Sequence, residues 1–68
     1  MMNTEKESKI VLAVKNDSAL YLFQHNNTTE FVVAYTNGSV KIGDYVEGWT
    51  SGHYFRDLED AAAYLKTR

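Results

Sequence analysis

The 68-residue sequence predicts an α+β domain, an antiparallel β-meander of three to four strands with one C-terminal α-helix packed on one face. Three observations lead to that class. Short runs rich in β-branched and aromatic residues recur through the first 55 positions, and the Asn- and Asp-containing breaks between them are too short for anything but hairpins. A helical period appears near the end of the chain. There is no Cys, so neither disulfides nor zinc-thiolate sites are available, and stability has to come from apolar packing.

Residues 1–8 show no periodicity and are expected to form a flexible N-terminal tail, with 9–68 a single small domain. The run Ile10-Val11-Leu12-Ala13-Val14, with Lys9 and Lys15 at its ends, predicts a first strand over 9–15. Asn16-Asp17-Ser18 supplies turn chemistry, because such side chains bond to their own backbone. Leu20-Tyr21-Leu22-Phe23-Gln24-His25 reads as a second strand, antiparallel to the first. The next turn is expected at Asn26-Asn27-Thr28-Thr29, followed by the clearest strand, 30–36, with Phe31-Val32-Val33-Ala34 at its centre.

Asn37-Gly38 has the signature of a type I′ hairpin, in which both central residues need positive φ. Residues 39–44 fit either a short strand or an extended hairpin arm. Strand character resumes over 45–50, and Ser51-Gly52 then interrupts it before His53-Tyr54-Phe55, which suggests a bulge or bend. In the final segment Leu58, Ala61, Ala62 and Leu65 fall at i, i+3, i+4 and i+7 and form an apolar stripe. Asp57 is placed to cap this helix, Glu59 and Asp60 oppose the positive end of its dipole, and Lys66 and Arg68 suit its other end.

Alternation divides each strand into two faces. Ile10, Leu12 and Val14 oppose Val11 and Ala13; Leu20 and Leu22 oppose Tyr21 and Phe23; Phe31, Val33 and Tyr35 oppose Val32 and Ala34. Both faces are therefore apolar. A helix ~10–12 Å wide cannot shield both sides of four strands spanning ~19 Å, so a second cover is expected. The candidates are a second copy of the chain, another protein, a ligand, or solvent against amphipathic Tyr.

The formal charge of −2 and a pI of 5.5 argue against a dedicated duplex-DNA binder, which needs clustered cations. Five acids between positions 44 and 60, against Arg56 alone, read as a solvated rim and a helix start. The longest apolar run is the five residues Ile10 to Val14, far short of the ~20 that span a bilayer, and the first residues lack the apolar middle of a signal peptide. A cytoplasmic protein without membrane contact is expected. Asn16, Asn26, Asn27 and Asn37 each begin a formal glycosylation match and are better read as turn formers.

His25 and His53 are the side chains whose charge changes near neutral pH, but they are 28 positions apart and form no ligand motif. They read as ordinary strand residues, and no catalytic residue, metal or cofactor is assigned. Tyr21, Phe23, Tyr35, Trp49 and Tyr54 are the candidate interaction surface. With Lys9, Lys15 and Lys41 on its rim that surface also suits stacked bases, but acids outnumber bases, and core or dimer packing needs the same rings. Trp49, alone, reads most simply as a cap on the core beneath the helix.

The stretch Trp49-x-x-Gly52-His53-Tyr54-Phe55-x-Asp57-Leu58-Glu59-x-Ala61, with Phe31-Val32-Val33-Ala34 before it, resembles the strand-to-helix junction of small uncharacterised proteins of Gram-positive bacteria, their phages and plasmids. That resemblance implies a fold and no activity. Gly52 to Ala61 is also similar to sheet-and-helix DNA-binding modules at the start of some phage integrases, from which this chain departs in lacking their basic sheet. The expectation is a non-enzymatic protein acting through homodimerisation or another protein partner at the aromatic sheet face, with a nucleic-acid-binding module as the alternative.

Overall fold

A computed structural model describes residues 7–36 and 40–68. Four strands, β1 (Ser8–Lys15), β2 (Ser18–His25), β3 (Thr28–Tyr35) and β4 (Thr50–Phe55), precede one helix, α1 (Leu58–Lys66). The strands form one antiparallel sheet in the order β1-β2-β3-β4, and α1 packs on it over β2, β3 and β4. This is the α+β meander that the sequence predicts.

The hairpins are tighter than expected. Asn16 takes φ 56 in the two-residue link between Lys15 and Ser18. Asn26 and Asn27 take φ 49 and 62 between the paired His25 and Thr28, so this turn has the two positive φ values of type I′. Strands β2 and β3 consequently start at Ser18 and Thr28, earlier than the sequence suggests. The type I′ expectation at Asn37-Gly38 lies outside the described residues.

Two bulges reset the faces. Between Val11 and Ala13 the β1 register slips against β2, so that Val11 opposes Tyr21 while Ala13 opposes Leu20. Leu12 and Ala13 therefore both pack on the helix side, and Val14 turns to the other side opposite Ala19. This corrects the simple alternation expected for the first strand. The second shift, opposite Ala34, occurs at Ser51-Gly52, where a bulge was expected.

Two cores result. Under α1, Leu20 and Val33 meet Ala61 and Leu65, with Leu12, Ala13, Phe31, Phe55 and Tyr64 around them. Of the anticipated helical stripe, Leu58 is half exposed. Asp57 stands at the N-cap in extended conformation, but its carboxylate bonds to no helix amide; its carbonyl accepts Ala61 N–H instead. At the other end Arg68 Nε donates to Ser18 Oγ at 3.2 Å and Nη1 to Tyr64 Oη at 3.0 Å, while Lys15 Nζ donates to the Lys66 carbonyl.

The second core lies on the opposite side and is covered from within the chain. Between β3 and β4 the chain makes an arm whose Val40, Val46 and Trp49 pack on Val11, Ala19, Tyr21, Val32 and Ala34. Lys41 to Asp44 form a β-turn closed by Asp44 N–H to Lys41 C=O at 2.9 Å, with Gly43 at φ 94 in the third position, where a type II turn needs positive φ. The turn fastens the arm to the outer edge of β1. Val11 N–H donates to Asp44 C=O, Gly43 N–H to Val11 C=O, and Val46 N–H to Lys9 C=O, all at 2.8–2.9 Å. Of the strand expected over 45–50, only Thr50 belongs to the meander, as the first residue of β4; Tyr45 forms only an isolated bridge, to Ile10.

Candidate interaction surface

The five aromatic residues singled out in the sequence do not share one open face. Tyr21, Phe23, Trp49 and Tyr54 lie on the arm side, since Tyr21 pairs with Val32 and Val32 with Tyr54. Tyr35, paired with Ser18, lies on the helix side, where the Arg68 guanidinium stacks 4.1 Å from its ring centroid.

On the arm side the rings form a packed cluster. Trp49 stacks on Tyr21 at 5.0 Å between centroids, meets Phe23 edge-on at 5.2 Å, and donates its indole N–H to Tyr54 Oη at 2.9 Å. Trp49 therefore caps a core, but the one facing away from the helix. Tyr21 is only 2% exposed, and its burial pushes the phenol pKa above the usual range against a smaller opposing effect of its hydrogen bond with Thr36. What remains open is the rim of half-buried Phe23 and Trp49 with Tyr54 at 54% exposure. The polar groups there have partners: Lys9 Nζ sits over Phe23 and 3.1 Å from Glu7, and His25 stacks on Phe23 with Nε2 at hydrogen-bond distance, 3.1 Å, from Glu30.

The two histidines are kept apart. His25 belongs to the arm side, whereas His53 pairs with Val33 on the helix side and touches the Tyr64 ring. Among the described residues no three metal-ligating side chains cluster, and no helix is long and apolar enough to cross a membrane. The cleft at the end of α1 is lined by Asp17 as well as Arg68 and lies at the negative end of the helix dipole; among the described residues Arg68 Nη2 is buried there without a hydrogen-bond partner.

A different row is less completely covered. Cross-strand pairing aligns Tyr45, Ile10, Leu22, Phe31 and Phe55 across the arm and all four strands, on the helix side. Tyr45 is 75% exposed and the other four are half-buried. Phe31 and Phe55 lean on the core beneath α1, whereas Ile10, Leu22 and Tyr45 lie beyond it. Sequence reasoning missed this row because Tyr45 joins it only through the arm's excursion to β1. The apolar alternation of Ile10, Leu22 and Phe31 was visible, without any sign of where the helix would stop. No family model, curated protein or solved structure matches the chain.

Proposed function

We propose that this chain is a non-enzymatic, cytoplasmic binding protein that docks on another protein chain through the helix-side row rather than through the aromatic cluster. The observation that carries the reading is the continuity of Tyr45, Ile10, Leu22, Phe31 and Phe55 on one face, with its most exposed member at one end. Apolar side chains aligned this way cluster at the centres of protein interfaces, where burial of each large one contributes roughly 1.5–3 kcal/mol. Tyr21 and Trp49, by contrast, already bury each other.

The alternative reading, a nucleic-acid-binding module, draws on the open rim of Phe23, Trp49 and Tyr54. It has less support, since phosphates would compete with Glu7 for Lys9, the cation over that rim. Amide chemical-shift mapping with the apolar probe bis-ANS tests the choice of face. Perturbations are expected at Ile10, Leu22, Phe31 and Tyr45; shifts confined to Phe23, Trp49 and Tyr54 would overturn the assignment. A gel shift with single-stranded oligonucleotide at low salt would revive the alternative.

A further inference from the structure

The helix is too small for the face it covers. Nine residues at ~1.5 Å rise make α1 about 13.5 Å long and about 10 Å wide. Four strands of up to eight residues span about 26 Å by 19 Å, so roughly 350 Å² of that face is left in projection. The uncovered part includes Ile10 and Leu22, and the arm extends it sideways with Tyr45.

We infer that a second copy of the chain covers this area, sheet to sheet, about a two-fold axis lying between the two sheets. The inference rests on the reading of the row as a binding surface and names its occupant. Charge is the first argument. The next row on the same face is Ser8, Gln24 and Thr29, so among the described residues neither of these two rows carries a charged side chain. A two-fold contact places a patch against itself, and a neutral patch does this without like-charge repulsion, whereas a partner chosen by charge would find nothing to pair with here. Arg56 and Asp57, which follow Phe55, have opposite signs and are exposed, which suits reciprocal pairing at the rim, while Lys9 and Glu30, each paired with Phe23, lie on the other face.

Thickness is the second argument. Sheets pack face to face at ~10 Å, close to the ~10 Å diameter of a helix, so the partner sheet would lie level with α1 and beside it. Each helix would then flank the other copy's sheet, and the two half-covered faces would close one shared core. At less than half of the ~800 Å² per partner of a standard interface, the contact belongs with small, transient interfaces, for which a Kd of about 10 μM to 1 mM is expected.

Sedimentation velocity from about 10 μM to 1 mM reads this directly, that range spanning the expected Kd. The sedimentation coefficient should rise from monomer toward dimer for the unaltered chain. Tyr45→Asp should weaken association at least tenfold with an unchanged far-UV spectrum, Tyr45→Ala should weaken it less, and Tyr54→Asp on the other side should leave it unaltered. A monomer throughout, or a dimer lost in Tyr54→Asp and kept in Tyr45→Asp, would overturn the inference. So would a monomer that begins to dimerise when residues 1–6 are removed, which would assign the row to the chain's own N-terminal segment. A monomer whose bis-ANS shifts still map to Ile10, Leu22 and Tyr45 removes the second copy and leaves the binding surface standing; loss of both removes both.

Discussion

A β-carbon on Gly52 would sit 2.7 Å from Trp49 Cδ1 and 2.8 Å from Val32 Cγ1, closer than such atoms approach. The residue at the bulge with positive φ is its neighbour Ser51, at φ 56. Gly52 is thus required by the indole lying against it, and Gly52→Ala is expected to cost about 1–3 kcal/mol, typical of overpacking, with a shift of the Trp49 emission. Denaturant titration followed by fluorescence measures both. Tyr21 adds a pH dependence. Its folded pKa lies above the unfolded value, so the unfolded chain loses the proton first and stability falls as pH rises from about 10. Below that pH the contribution is fully present. Tyr21→Phe should flatten the alkaline fall in Tm, and an unchanged slope would place its cause elsewhere.

At the level of elements, the helix shows how a correct assignment can rest on the wrong interaction. Its position, Leu58–Lys66, was legible from the spacing of Leu58, Ala61, Ala62 and Leu65 and from the charges at its ends. The cap was not, because whether a carboxylate reaches the helix amides depends on how the chain enters from β4. Asp57→Ala is therefore expected to cost less than about 0.5 kcal/mol, against ~1 for an engaged cap. Leu65→Ala, which empties part of the core between α1 and the sheet, should cost about 2–4 kcal/mol. Thermal or urea unfolding of the two variants compares them. The hairpins were legible in kind but not in length: Asn26-Asn27 was readable as a turn, and only the pairing of His25 with Thr28 shows that two residues suffice.

For the molecule as a whole, the arm settles how so short a chain stabilises two apolar faces. It covers the side away from the helix, and by bonding to Lys9 and Val11 it also occupies that part of the β1 edge against strand addition. A charge at its anchor should release it. Val46→Asp is expected to destabilise the fold by about 2 kcal/mol and to raise bis-ANS binding at Tyr21 and Phe23, which chemical-shift mapping would show. The sequence by itself determined the first three strands, their meander order, the helix and the need for a second cover, because these follow from local periodicity and turn chemistry, but it placed the start of the fourth strand too early. The tertiary structure decided what supplies that cover and which apolar row is left more open. Those outcomes depend on a bulge that turns Val14 to the other side, and on residues 40–46 reaching β1, neither of which has a local signature. An excursion between distant strands is fixed by backbone groups that pair only once the sheet exists.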